Sequence, residues 1–300
     1  MLSFRLIVAA AALAAAPSVH AAEPWEDGIA VALGKQGTEM PGGVYRIGLP
    51  RSDLKVTMDG VTLKPSLALG SWVAFMRHGT GNEVMLMGDL VLTDDEVSPV
   101  MKRLIDGGIQ ITALHNHLLG STPHTMYMHV AGQGDGAKLA DTLHAALALS
   151  KTPFPAAQPN VPAPASAAAP LDLDTDGIDR ALGHKGKVNG GVYAVSIARA
   201  ETPREGGMSL PDAIGTATAI NFQPTGNGRA AIAGDLVLTA SEVNPVLRTL
   251  RGNGIEVEAL HNHMLDDEPR LFFIHFWAND DAVKLAKGMR AALDQTKTRH

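Results

Sequence analysis

The sequence contains no cysteine, and that absence closes several routes at once. Disulfides, thiolate metal ligands, thiol nucleophiles and a lipid-bearing cysteine are all excluded. Long apolar runs are lacking too: the one that stands out, Leu6 to Ala16, falls short of the ~20 residues that a membrane-crossing helix needs. Nor is there a basic excess, since 25 lysines and arginines stand against 31 acidic residues, a formal net charge of −6. That balance offers no electrostatic footprint for nucleic acid. A His-Glu-x-x-His helix, a Gly-x-Ser-x-Gly elbow and a phosphate-cradling glycine loop are missing as well, which removes the commonest hydrolase and nucleotide signatures.

What is present begins at the N-terminus. Arg5 precedes the apolar run, and Ser18-Val19-His20-Ala21 closes it with small residues at the two reading positions. This is the form of a signal peptide, here residues 1–21, with the mature chain starting at Ala22. The expected location is the periplasm or the outside of the cell. A chain of this length builds ordinary cores without disulfides, so the lack of cysteine is compatible with export.

The chain is also duplicated. Gly88-Asp89-Leu90-Val91-Leu92-Thr93 recurs as Gly234-Asp235-Leu236-Val237-Leu238-Thr239. With that shift held, about 28 of roughly 60 positions from Gly88 to Leu147 are identical to Gly234 to Leu293, far above chance. Upstream, Gly42-Gly43-Val44-Tyr45 answers Gly190-Gly191-Val192-Tyr193. A proline- and alanine-rich stretch, 152–170, separates the copies and reads as an extended tether. The first repeat is then 24–151 and the second 171–300, each a comfortable size for one core.

Within a repeat, strand-like runs (Val44 to Leu49, Trp72 to Met76, Glu83 to Met87) precede Thr93-Asp94-Asp95-Glu96, a capping box that recurs as Thr239-Ala240-Ser241-Glu242. A helix follows and stops at Gly107-Gly108. Two more strand-like runs, Ile109 to His117 and Met126 to Ala131, lead to a closing helix over Gly136 to Leu147. The order predicts an α+β domain, a largely antiparallel sheet with two main helices on one face.

The chemistry concentrates on the hairpin. Ala113-Leu114-His115-Asn116-His117 recurs as Ala259-Leu260-His261-Asn262-His263, and a third histidine follows in each copy, His129 and His275. Residues two apart on a strand share a face. A hairpin centred near Pro123, or near Pro269, would set His117 opposite His129 and His263 opposite His275. Three imidazoles per repeat would then converge, the donor set that a divalent transition metal takes, zinc or copper best. The competing readings are a metal-free polar pocket and histidines packed for structure. Asp89 and Asp235, each after a glycine, are candidate carboxylate ligands or partners orienting an imidazole, or only turn caps. Glu96 and Glu242 are accounted for by the capping boxes. Tyr45 and Tyr193 fit core positions, though either could line the histidine face. Asn116 and Asn262 should point away from their flanking histidines. Trp277, where the first copy has Ala131, gives the second pocket a different wall. No catalytic residue is assigned. The contiguous His-Asn-His does not make a ββα-metal nuclease, whose residues are dispersed through the motif.

The Gly-Asp-Leu-Val-Leu-Thr block, the Glu-Val-x-Pro-Val helix start, Ala-Leu-His-Asn-His and the later histidine resemble the LppY/LpqO family of exported bacterial proteins, a domain of unknown function. The resemblance covers both halves, strongest over 83–148 and 229–294. It implies an envelope location and a shared histidine site in each copy, and it implies no reaction. The family's namesakes are lipid-anchored, and this chain has no cysteine to carry lipid. Three functions compete: a periplasmic metal-binding protein, with a metal-dependent hydrolase of an envelope substrate as its enzymatic form; a metal-free module binding a small ligand or glycan; and a structural protein whose repeats pack as an intramolecular pseudo-dimer with the histidines buried between them.

Overall fold

The computed structural model describes residues 23–79, 81–154 and 171–299. The segment expected to be a signal peptide, 1–21, and residues 155–170 of the expected tether lie outside the described residues. In the first repeat, α1 (Pro24–Leu33), β1 (Thr38–Met40), β2 (Val44–Pro50), β3 (Thr57–Met58), β4 (Val61–Thr62), α2 (Pro65–Ala68) and β5 (Gly70–Arg77) lead into β6 (Glu83–Thr93), α3 (Asp94–Asp106), β7 (Gln110–His115), β8 (Thr125–Asp135) and α4 (Gly136–Leu147). The second repeat runs α5 (Thr175–Leu182), β9 (Lys187–Asn189), β10 (Val192–Ile197), β11 (Arg204–Glu205), β12 (Met208–Ser209), a 3-10 turn over Asp212–Ile214, β13 (Thr218–Gly226), β14 (Arg229–Thr239), α6 (Ala240–Gly252), β15 (Glu256–His261), β16 (Asp267–Glu268), β17 (Leu271–Asp281) and α7 (Ala282–Leu293). Each repeat forms one six-stranded antiparallel sheet, in the order β1-β2-β5-β6-β8-β7 and, equivalently, β9-β10-β13-β14-β17-β15. The α+β expectation holds.

Both capping boxes close as the spacing predicts, with the Thr93 amide donating to Glu96 at 2.9 Å and the Thr239 amide to Glu242 at 2.6 Å. Each glutamate does more than cap. Arg51 and Arg199, almost wholly buried, donate to Glu96 and Glu242 at 2.7 and 2.8 Å and also reach the carbonyls of Val91 and Val237. The same carboxylates accept from the amides of Lys151 and Lys297, which fastens the end of each repeat to the start of its middle helix.

Strand β6 runs unbroken through the segment that the sequence divides at Gly88, and nearly all of it is buried. Its alternation explains why. Val84, Leu86, Leu90 and Leu92 pack under the helices, whereas Met85, Met87 and Val91 belong to apolar clusters shared with the other repeat. Burial on both faces removes the polar alternation of a half-exposed strand. The molecule is therefore layered helix, sheet, sheet, helix, with the two sheets facing each other.

The excursions between β2 and β5 and between β10 and β13 interlock the halves. Helix α2 of the first repeat packs on β13 and β14 of the second, and the Asp212–Ile214 turn of the second packs on β2 and β5 of the first. Polar bonds reinforce this exchange: the Lys64 amide donates to Gln223 at 2.8 Å, Gln223 donates to the Thr62 carbonyl at 2.8 Å, and Arg46 donates to the Ala213 carbonyl at 2.9 Å. Thr152 is buried and Phe154 packs on the first core against His144. These residues, read from sequence as tether, belong with the first repeat.

Candidate metal centre

The histidine hairpin closes in a different register from the one symmetry about the prolines suggests. His129 lies opposite Ala113 and His275 opposite Ala259, while His115 faces Tyr127 and His261 faces Phe273. A bulge just before Ala113, and another before Ala259, shifts the ladder, and each strand ends at its first histidine. His117 and His263 therefore lie beyond the strands, not opposite His129 and His275. The shared face survives the correction, because opposed residues still project to one side. His117 folds onto the ring of Tyr127 with centroids 3.4 Å apart, and His263 onto Phe273 at the same distance.

That face is the one turned toward the other repeat. His115 stacks on His261 at 3.5 Å, His117 on His275 at 3.4 Å, and His129 on His263 at 3.8 Å. Each pair joins one repeat to the other, and exchanging the repeats maps the set onto itself, which is an approximate two-fold relation. The six histidines thus form one composite cluster instead of a site in each copy. Sets with ligating atoms within 4.8 Å of one another are His115–His117–His129, His115–His261–His275, His129–His261–His263 and Asp235–His263–His275. The first matches the expected one-repeat triad. His261, His263 and His275 do not form such a set, and His261 groups with residues of the first repeat.

Asp89 and Asp235 are not turn caps. Both sit mid-strand, directly opposite His129 and His275. Asp89 Oδ2 is 3.8 Å from His117 Nε2, and Asp235 Oδ2 is 3.3 Å from His263 Nε2. Tyr45 and Tyr193 lie on the other face, in the helix-side cores, where their hydroxyls bond the amides of Gly37 and Gly186. Asn262 donates to the carbonyls of Thr112 and Met264, so it braces the histidine loop from the partner repeat's bulge. Trp277 packs in an apolar cluster between the repeats and donates to Asp59 at 2.7 Å, so it forms an inter-repeat contact beside the centre.

His129, His263 and His275 are buried, the first and last each 3% exposed, and His115, His117 and His261 are half-buried. Burial holds the imidazoles in their neutral form: His115 falls to about 4 and His275 to about 3, chiefly from loss of solvent. His117, His129, His261 and His263 lie well below the ordinary value, from burial first and then mutual repulsion. Burial also lifts Asp89 to about 8 against the pull of Arg46, and Asp235 well above the carboxylate range.

Neutral imidazole is the ligating form. The Nδ1 atoms of His275 and His115 lie 2.8 and 3.0 Å from the carbonyls of Gly234 and Asn116. A carbonyl only accepts, so each Nδ1 carries the hydrogen and the Nε2 lone pair is left for a cation. The Nε2 atoms of all six histidines are buried without a hydrogen-bond partner, as are Asp89 Oδ1 and Asp235 Oδ1. An orphaned buried polar group costs about 1–3 kcal/mol. Six such nitrogens together would cost ~6–18 kcal/mol, as much as the net stability of a whole domain, ~5–15 kcal/mol. The donor set fits a bound cation.

A cavity of about 1150 Å³ opens between the sheets and ends on His117, His263, His275 and Asp235, with Arg46 and Trp72 in its wall. Neither Arg46 nor Trp72 carries a sequence signal of function; only the topology brings them here. The same holds for Thr112 and Glu258, which occupy one bulge position in the two repeats. Thr112 donates to the His263 carbonyl at 2.6 Å, and Glu258 accepts from the Leu119 amide at 2.6 Å. Each pins the opposite repeat's histidine loop.

No curated protein matches the chain. Two solved structures are similar at low identity. EtuB from Clostridium kluyveri is 9% identical, with 86% of this chain and 90% of that chain covered at a TM-score of 0.24. The trimeric bacterial microcompartment shell protein PduB is 12% identical, with the same coverages at a TM-score of 0.21. Superpositions that loose carry no information on fold or function. The family model described as Domain of Unknown Function (DUF1259) matches twice, over residues 27–149 and 176–295. The chain belongs to that family and contains its domain in two tandem copies.

Proposed function

We propose that this two-copy DUF1259 chain is a metal-binding protein whose single composite centre is built from both repeats. The observation that carries this reading is the convergence of six buried, partnerless imidazole nitrogens at the seam between the sheets. Imidazoles with carboxylates and no thiolate suit zinc or copper. A bound cation would also draw Asp89 and Asp235 into their charged form, reversing the effect of burial. The burial of the histidines between packed repeats, anticipated under the purely structural reading, does not by itself explain nitrogens left without partners.

Elemental analysis of untagged protein, beside a His117→Ala, His263→Ala double variant, tests the proposal. Metal in the parent and its loss in the variant are the expected results. A metal-free parent, or unchanged content in the variant, would overturn it.

The cavity favours a second, enzymatic form of the same reading. A metal facing a space of this size keeps a position for water, and a bound cation lowers the pKa of that water toward ~7. Hydrolysis of an envelope substrate is the reaction class that follows. The envelope location rests on the signal segment at residues 1–21 and on the LppY/LpqO resemblance. Cell fractionation with N-terminal sequencing of the mature protein checks it, Ala22 being the expected first residue.

A further inference from the structure

Building on the metal reading, we propose that the centre is open on one side only. Within the composite cluster, Asp235, His263 and His275 of the second repeat, with the first repeat's His117 stacked on His275, hold a cation whose exchangeable position faces the cavity and accepts small anions, whereas Asp89, outside every close ligand set and outside the cavity lining, is no ligand.

The two sides start from the same construction. Each aspartate follows the repeated glycine, lies mid-strand and faces the third histidine of its copy. They differ in what surrounds them. Trp72 is the β5 residue opposite Asp89, and its counterpart opposite Asp235 is Ala219. Arg46 follows Tyr45 in the first repeat, and Ala194 follows Tyr193 in the second. The Arg46 guanidinium lies 3.9 Å over the Trp72 ring and is anchored on the Ala213 carbonyl. Arg46 and Trp72 line the cavity, so one of its walls carries a fixed positive charge that the second repeat, with Ala194 and Ala219 at those places, does not match.

Geometry and access agree. Asp235 forms a close three-residue set with His263 and His275, and its oxygens lie 3.3 and 3.9 Å from their Nε2 atoms. Asp89 reaches only His117, at 3.8 Å, and belongs to no such set. The Asp235 side chain is 18% exposed against 9% for Asp89. The cavity is lined by Asp235, His263, His275 and the first repeat's His117, and neither Asp89 nor His129 lines it. An anion entering this space meets the metal at one end and the Arg46 wall alongside, two positive groups in a partly desolvated chamber.

Cobalt(II) serves as the probe, since its visible spectrum reports on the ligands around it. The full chain is loaded with cobalt and titrated with azide and with inorganic phosphate. Both anions should perturb the spectrum of the parent. Asp235→Asn should weaken cobalt binding by at least about tenfold, the scale on which changes around a metal act, and Asp89→Asn should leave it within about threefold. Equal weakening by the two variants, or a spectrum that neither anion alters, overturns the one-sided centre while the metal reading stands. Failure of the parent to bind cobalt overturns the metal reading itself. The anion titration needs no variant, so the test survives a variant that does not fold.

Discussion

At Gly234 an added methyl group would run into the Ala219 carbonyl on the neighbouring strand, and at Gly88 it would stand 2.9 Å from the Trp72 carbonyl. The repeated Gly-Asp pair is thus a packing device that lets two strands close beside the carboxylate. Gly234→Ala should destabilise the protein by about 1–3 kcal/mol, the range for overpacking a filled site. Gly88→Ala should cost less, because its obstruction is milder. Urea midpoints of both variants check the order, and a larger loss for Gly88→Ala would refute it. Since His275 Nδ1 bonds the Gly234 carbonyl, Gly234→Ala should also lower metal content. At this scale the sequence was partly legible. The two-residue spacing anticipates His115 and His117 in one set, but strand parity cannot say that the strand ends at His115, that the ladder slips at a bulge or that His263 folds onto Phe273 beyond the strand end. Those outcomes depend on the Thr112 and Glu258 contacts with the other repeat, which no local pattern contains.

The elements hold position through the paired Arg51–Glu96 and Arg199–Glu242 bridges. Capping boxes are a local signal and were readable from spacing. Both arginines look like loop charges in sequence, because their burial is set by strands distant along the chain. Breaking one partner of a buried pair strands the other, at ~3–5 kcal/mol. Arg51→Met should therefore destabilise the protein more than Arg77→Met, whose exposed partner Glu23 contributes little, when the two are compared by chemical denaturation. The bridges also set an acid limit. Burial alone would raise the Glu96 and Glu242 carboxyls, but hydrogen bonds, from the arginine first and then from backbone amides, hold both below the ordinary 4.5. A carboxyl with a depressed folded-state value contributes stability in full above 4.5, and that stability drains away as pH falls through the folded value. A Glu96→Gln, Glu242→Gln variant should be less stable at neutral pH and show a shallower loss below 4.5. Denaturation midpoints across that range decide it, and an unchanged acid slope would count against the bridges.

On the scale of the whole molecule, the sheets meet through two apolar clusters that draw from both repeats, and the interlocked excursions add to them. Apolar area removed from water at such a seam contributes ~25 cal/mol per Å². A protease site placed within residues 155–170 should yield two halves that co-elute on size exclusion after cleavage. Separation of the halves without denaturant would contradict the packing. The first repeat expressed alone would expose Val91, Tyr127 and Met87 and should aggregate. The duplication and the α+β order were legible from sequence. The closure of one repeat on the other was not, because inward-facing residues such as Val91 look the same whether a helix or a second sheet covers them.

A self-complementary interface between identical chains is bound by a rule: whatever stands on one side of the axis stands on the other. Joining the two halves in one chain lifts that rule. Arg46 and Trp72 each occur once, with Ala194 and Ala219 in the mirrored places. A homodimer acquiring Arg46 and Trp72 would acquire them on both sides of the seam together, and both flanks of the cavity would change alike. In the tandem chain one flank can be sealed while the other keeps its mouth, so the fusion frees the two halves of a shared centre to specialise.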